Sequence, residues 1–207
     1  MAIIAEVKYA VPAQGSLGIR MSPSELAAEY ESLGASAVSC LTEPVFFAGS
    51  VDHLREVRGA CRLPLLMKDF IVDERQICQA RAIGADAVLL ISEMLSGKEL
   101  ARLFAFGKGL GIDCLVEVHG QDGLEKALKV GADLIGVNAR DLQTLQLDRE
   151  RHEKMAGHLP AGVVKVAESG ISSSKRLQEL KGMGYDAALI GRAMVSEHTR
   201  REIFACG

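Results

Sequence analysis

The chain is 207 residues long and has no apolar run that could span a bilayer. Stretches such as "AVLLI" at 87–91 fall far short of the roughly 20 residues a membrane span needs. The N-terminus has no basic segment, and Glu6 interrupts the first apolar run, so no secretory signal is expected. There is no excess of either charge. Lys plus Arg number 24 against 27 Asp plus Glu, a net charge of -3, which gives no reason to propose nucleic acid or an anionic membrane as partner.

The five cysteines (Cys40, Cys61, Cys78, Cys114 and Cys206) are odd in number and never two residues apart, which argues against a disulfide framework and a zinc site. The five histidines show no ligand spacing, so no metal is expected. These absences point to a cytoplasmic protein with reduced, mostly buried thiols. With 48% hydrophobic residues the chain suits one compact domain over 1–207. No linker or low-complexity stretch divides it.

What is present is a weak repeat. "GASAV" starts at Gly34, "GADAV" at Gly84, "GADLI" at Gly131 and "GYDAA" at Gly184. Each glycine suits a left-handed helix end, and each runs into an apolar strand. Between them lie four further strand candidates, "AIIAEVK", "LPLLMKD", "DCLVEV" and "VVKVAES". Helical patterns fill 22–34, 50–60, 73–84, 96–111, 121–131, 148–157, 172–184 and 196–206. Strand then helix, eight times with short connections, predicts parallel strands joined by right-handed crossovers. Eight such units close into a (βα)8 TIM barrel. An open doubly wound sheet is the rival, but the GxGxxG loop expected after its first strand is absent.

In this barrel the active site lies at the C-terminal ends of the strands. There the apolar runs end in polar residues: Glu6 and Lys8, Thr42 and Glu43, Lys68 and Asp69, Ser92 and Glu93, Glu117, Asn138 with Arg140, Glu168 with Ser169, and Gly191 with Arg192. Glu6 and Lys8 are two residues apart and therefore share one face of their strand. Buried unpaired charges cost several kcal/mol, so this many at one rim implies mutual pairing around a polar ligand. Two lysines with several glutamates form an acid–base set; a network of satisfied ion pairs is the plainer reading. Ser169 and Gly170 after strand seven, with Gly191 and Arg192 after strand eight, fit a phosphate site to which Lys8 could add a cation. Phe46, Phe47 and Phe70 could wall an aromatic pocket or pack their loops. Asp69 reads as a loop-orienting group, and His119 as a polar residue near the rim.

The blocks "IIAEVK", "LTEPVFFAGS", "LPLLMKDFIVDERQI", "GADAVLLI", "LVEVH", "GVNARDLQTLQLD", "VVKVAESGIS" and "ALIGRAMV" occur in that order. Over nearly its whole length the chain thereby resembles the indole-3-glycerol phosphate synthase family. The resemblance implies a lyase of tryptophan biosynthesis. Its reaction closes the ring of 1-(2-carboxyphenylamino)-1-deoxyribulose 5-phosphate, with loss of carbon dioxide and water and no cofactor. Lys68 would be the general acid at the ketone, Glu117 would move protons in the dehydration, and Lys8 with Glu6 would assist. Asn138, Arg140, Glu168, Phe47, Phe70 and Leu89 would bind substrate, with Glu168 supporting the lysine network. Lys8, Ser169, Gly170, Gly191 and Arg192 would hold the phosphate.

The family's first motif runs E-x-K-x-x-S-P-S, and here Val11 stands at the serine before Pro12. Ala48 stands where an Asn often lies, and Arg192 at a position commonly small or acidic. The family's N-terminal helical extension is expected to be lacking, leaving an apolar mouth for a second copy or a partner protein to cover. Two alternatives stay open at this level: a diverged paralogue acting on another phosphorylated amino-sugar or arylamine in secondary metabolism, and a phosphate-binding barrel without catalysis.

Overall fold

The computed structural model describes residues 1–12 and 14–205. Ala13, Cys206 and Gly207 lie outside the described residues, among them the fifth cysteine and the expected end of the last helix. Eight parallel strands close into a barrel: β1 (Ala2–Val7), β2 (Ala37–Leu41), β3 (Leu65–Lys68), β4 (Ala87–Ile91), β5 (Asp113–Val118), β6 (Leu134–Asn138), β7 (Val164–Glu168) and β8 (Ala187–Ile190). Each strand pairs with its sequence neighbours, and β1 closes the ring against β8 with Ala2 opposite Ala187 and Ala5 opposite Ile190. This is the expected (βα)8 architecture.

Eight helices follow the strands: α1 (Pro23–Ser32), α2 (Val51–Ala60), α3 (Glu74–Ile83), α4 (Gly97–Gly109), α5 (Gln121–Lys129), α6 (Arg151–Ala156), α7 (Ser174–Gly182) and α8 (Glu197–Ala205). Their starts follow from local chemistry. The Ser22 hydroxyl accepts from the Glu25 N–H at 3.2 Å, the Glu25 carboxylate accepts from the Ser22 N–H at 2.7 Å, and Pro23 occupies the first helical position. The repeat glycines do what the pattern asks: Gly34, Gly84, Gly131 and Gly184 have φ of 91°, 97°, 78° and 87°, values that glycine adopts without steric cost.

Four local features differ from the sequence expectation. The sixth helix is shorter than 148–157, because the Asp148 N–H bonds back to the Ala139 carbonyl at 2.8 Å and closes the preceding loop. The seventh starts at Ser174, capped by the Ser173 hydroxyl. Two small elements went unread: an antiparallel ribbon pairing Ala10–Val11 with Gly15–Ser16, and a 3-10 turn at Arg192–Met194.

Strand alternation divides the apolar residues between two cores. One set, including Ile3, Val38, Met67, Val88, Val116 and Ile190, packs outward against the helices. The other fills the barrel lumen with Leu66, Leu89, Ile91, Leu115, Val166 and Leu189. Burial of both faces explains why the strands read as near-continuous apolar runs. Buried side chains of this size contribute about 1.5–3 kcal/mol each.

Candidate active site

Alternation along the odd-numbered strands sends Glu6, Lys68, Glu117 and Glu168 into the lumen, immediately above that apolar filling. TIM-barrel interiors are built from layers of four side chains supplied by alternate strands. Here one such layer, contributed by β1, β3, β5 and β7, consists entirely of charged residue types. The Lys68 ammonium lies 2.8 Å from Glu168 Oε2, 3.4 Å from Glu6 Oε2 and 3.9 Å from Glu117 Oε2. Lys8, two residues beyond Glu6, forms a close ion pair with Glu6 Oε1. The opening charges of the chain are thus the first strand's share of a buried network.

The network's protonation follows from its charge count. Burial alone would drive Lys68 towards the neutral form, but Glu168, Glu6 and Glu117 outweigh it, so the lysine titrates above its ordinary range and stays charged. Burial would likewise raise Glu6, but Lys8 and Lys68 hold it below the usual carboxylate range. Glu168 goes the other way. Burial, only partly offset by Lys68 and reinforced by the facing Glu117 carboxylate, pushes it up to about 7. Its Oε1 finds no donor to accept from, and a proton there makes it a donor towards Glu117. Below about pH 7 Glu168 therefore keeps its proton among these charges.

Two glycines make room for this cluster. A Cβ at Gly136 on β6 would run into Glu168 Oε1, and a Cβ at Gly191 would run into Glu6 Oε1 and lie 2.9 Å from Lys8 Nζ. The Gly191 position thus has a steric role that its motif alone did not reveal.

Above the layer opens a cavity of about 720 Å³. Its lining includes Glu6, Lys8, Lys68, Glu117, Asn138, Arg140, Phe47, Phe70, Leu89, Ser169, Gly170, Gly191 and Arg192. Phe46, Thr42, Ser92, Glu93, His119 and Glu168 are not on the wall. Glu168 lies behind Lys68, 1% exposed, with its carboxyl on the lysine. Val11, in the small ribbon, presents an isopropyl group to the cavity.

The two sides of the cavity differ. On the β2–β3 side the Phe47 and Phe70 rings lie 6.2 Å apart, and Phe46 meets Phe70 edge-on. Glu43 holds this loop by accepting from the N–H groups of Val45, Phe46 and Phe47 at 2.8, 2.7 and 3.2 Å. Asp69 accepts from the Thr42 hydroxyl and the Phe70 N–H, the loop-orienting task its position suggested. On the β7–β8 side, Ser169 and Gly170 are consecutive left-handed residues, with φ of 66° and 71°. They are followed across the sheet edge by Gly191 and the 3-10 turn. Arg192 reaches over to the Gln14 side chain and links the last loop to the first.

Between the two sides runs the loop after β6. Asn138 Oδ1 accepts from the Arg140 N–H at 2.9 Å, Arg140 donates to the Leu145 carbonyl at 2.8 Å, and Asp141 accepts from the N–H groups of Gln143 and Thr144. Arg140 is therefore engaged in its own loop while lining the cavity. Leu142, Arg149, Ser196 and Thr199 also line it, and the sequence reading missed them. Ser196 and Thr199 sit at and just inside the start of the last helix, where no strand-end pattern marks them.

Among the described residues no group of three or more His, Cys, Asp or Glu is arranged to hold a metal ion. Among the same described residues no helix is long and apolar enough to cross a membrane.

The fold alone recurs in distant structures. A Clostridium perfringens N-acetylmannosamine-6-phosphate 2-epimerase superposes with a TM-score of 0.71 at 13% identity, over 93% of this chain and 87% of its own. The native KDPGal structure gives 0.68 at 13% identity, over 100% and 94%. Sequence relatives are much nearer. The indole-3-glycerol phosphate synthase of Mycolicibacterium gilvum is 46% identical over 205 residues, 99% of this chain and 75% of its own length. That of Campylobacter jejuni strain 81-176 is 45% identical over 195 residues, 94% and 76%. The family model for indole-3-glycerol phosphate synthase matches residues 1–205. With that match spanning both sides of the cavity and the charged layer beneath it, the chain belongs to the indole-3-glycerol phosphate synthase family.

Proposed function

We propose that the charged layer performs the family's decarboxylating ring closure, with the arylamine of the substrate on the phenylalanine side and its phosphate on the β7–β8 side. The activity itself is that of a lyase of tryptophan biosynthesis acting on a small phosphorylated substrate. The observation that carries the assignment of roles is the position of Lys68, charged and within 2.8–3.9 Å of three carboxylates at the floor of the cavity.

In this reading the Lys68 ammonium gives a proton to the ketone oxygen while the carboxylate-bearing ring carbon attacks the ketone carbon. Carbon dioxide then leaves and the ring regains aromaticity. The new hydroxyl departs as water with a second proton, and Glu117 takes the proton released next to it. Lys8, held by Glu6, supplies a second ammonium near the reacting oxygen and towards the phosphate. Ser169, Gly170, Gly191 and Arg192 hold the phosphate, while Asn138, Arg140, Phe47, Phe70 and Leu89 orient the rest of the substrate. Glu168 keeps Lys68 aimed rather than touching substrate. The buried thiols Cys40, Cys61 and Cys114 fit a reducing, cytoplasmic setting.

The chain contains no tryptophan, so indole fluorescence from the product can be followed without a tryptophan background. Wild-type protein given the carboxyphenylamino-deoxyribulose phosphate should develop that signal. Lys68→Ala should lower kcat by about 10²–10⁴-fold, the usual contribution of a positioned general acid. Equal rates for the two proteins would overturn the assignment.

A further inference from the structure

The reaction has a proton balance that the charged layer alone does not close. The substrate's carboxylate leaves as neutral carbon dioxide. Two protons go to the ketone oxygen on its way to water, and one comes back from the substrate. Each turnover therefore draws one proton from solvent, and it must reach a lysine–glutamate cluster that is nearly sealed from below.

We propose that Glu93 and His119 form the side chain of the site that holds Glu117 in place and delivers this proton to it. The proposal rests on the reading of Glu117 and Lys68 given above. His119 follows β5, two residues after Glu117. Its Nε2 lies 3.4 Å from Glu117 Oε1, and its Nδ1 lies 3.1 Å from Glu93 Oε2. Glu93 Oε1 accepts from the His119 N–H at 2.7 Å, and the Ser92 hydroxyl donates to Glu93 Oε2 at 2.8 Å. One carboxylate therefore holds both the backbone N–H and the imidazole Nδ1 of His119.

Its Nε2 is buried and has no hydrogen-bond partner, although it faces a carboxylate at a distance that a small movement would close. An unpaired polar atom of this kind is costly unless the site uses it. The surroundings are cut to fit: a Cβ at Gly123 on α5 would strike Glu93 Oε1 and approach Ser92 Oγ to 2.6 Å. The string also runs in a useful direction. The Glu93 side chain is 31% exposed, that of His119 9% and that of Glu117 2%, and Glu117 Oε2 stands 3.9 Å from Lys68 Nζ.

The handover conserves charge. The imidazolium gives its Nε2 proton to the Glu117 carboxylate, which passes it towards Lys68. The ring is left neutral, its Nδ1–H still donated to Glu93, and a solvent proton taken up at Nε2 between turnovers restores the imidazolium. The charged groups facing the ring are Glu93 from the loop after β4, Glu117 from β5 and Arg151 from α6. Lys126 of α5 binds the Ser92 carbonyl behind Glu93. Burial opposes the imidazolium, but the hydrogen bond to Glu93 and the two carboxylates prevail over Arg151 and raise His119 above its ordinary value.

The test compares Glu117→Gln, His119→Gln and Glu93→Gln with wild type, using the family substrate, over a range of pH and in light and heavy water. Circular dichroism and melting temperature establish folding. Glu117→Gln should remove most of kcat. His119→Gln should lower kcat about tenfold with KM within about twofold, enlarge the solvent isotope effect on kcat, and move the acidic limb of the kcat profile to higher pH, because a cation beside Glu117 has been removed. Glu93→Gln, at the exposed end, should give the same changes at smaller amplitude. In His119→Ala, added imidazole should restore rate in proportion to its concentration. A dead Glu117→Gln with folded His119 and Glu93 variants at the wild-type rate, pH profile and isotope effect would overturn the relay alone. A Glu117→Gln variant at wild-type rate would overturn the underlying reading instead.

Discussion

The two sides of the cavity solve opposite problems with opposite materials. The β2–β3 side is apolar. Phe47 and Phe70 form it, with Phe46 edge-on to Phe70; the Glu43 carboxylate fixes the 45–47 loop, and Val45 and Phe46 remain exposed at 79% and 54%. The β7–β8 side has almost no side-chain bulk at its centre. That centre is left-handed backbone at Ser169 and Gly170, a glycine at 191 and a short turn, with Arg192, Ser196 and Thr199 around it. An aromatic ring is recognised by area and shape, which side chains supply. A phosphate is recognised by N–H groups, which the backbone offers only where side chains stand aside. The charged layer sits between them, where the ketone of a substrate anchored at both ends would fall.

Breaking the backbone side should have the largest effect. Gly191→Ala places a methyl against Glu6 and Lys8, so it disturbs the phosphate side and the layer together. A fall in kcat/KM of about 100-fold is expected, on the scale of a misplaced constellation, with loss of inhibition by simple phosphate esters. Steady-state kinetics with and without such an ester would measure it, and an unchanged kcat/KM would show that the side is more tolerant than its geometry.

Breaking the aromatic side should cost less and leave a different trace. Phe70→Ala removes area from a wall and touches no charge. KM should rise about tenfold, consistent with about 1.5–3 kcal/mol for a fully buried large apolar side chain and less for a half-buried one, while kcat stays within a few-fold. Inhibition by arylamine acids should weaken, and inhibition by phosphate esters should persist. A kcat loss larger than the KM rise would show that the ring positions the reacting atoms.

The layer between them can be probed through stability. Glu168 keeps its proton to about 7, well above its ordinary value of 4.5. The native state therefore binds more protons than the unfolded chain between those two values, and stability due to this group falls as pH rises through that window. Glu168→Gln removes the dependence. The melting temperature of wild type minus that of Glu168→Gln should thus decline from about pH 4.5 to about pH 7 and then level. A flat difference would mean that the retained proton resides elsewhere in the cluster.

The smallest effect is expected on the aromatic side's own loop. Ala48 adopts φ 49°, a left-handed conformation that alanine occupies at a cost and asparagine tolerates better. Ala48→Asn should raise stability by up to about 1 kcal/mol without changing kcat, as chemical denaturation would show. A loss of stability would mean that the larger side chain does not fit the loop.

Much of this was legible because the barrel's rules are periodic. The glycine-led repeat fixed the count of strands, and the two-residue spacing of Glu6 and Lys8 put both on one face before any coordinates did. The same alternation carries Lys68, Glu117 and Glu168 inward, although their assembly into one layer depends on inter-strand register, which no single strand contains. What escaped notice is lateral. Glu93 and His119 were visible as rim residues, but their contact joins neighbouring strands' loops. Thr199 and Arg149 reach the cavity from a helix and a long loop, so no strand-end pattern points to them. The depth of Glu168 behind Lys68 was hidden for the same reason: a strand end says which way a side chain points, not which neighbour stands in front of it.

The four-residue layer also has a consequence for evolution of the fold. A TIM barrel ordinarily fills such a position with branched apolar side chains, and replacing buried ion clusters by such residues is often neutral or stabilising. The chain instead leaves one tier of its lumen uncorked. Selection for thermal robustness alone would fill that tier with leucine and valine, one strand at a time, and each step would tighten the barrel while silencing it. The charged tier of Glu6, Lys68, Glu117 and Glu168 is thus the part of the lumen that packing alone would not choose.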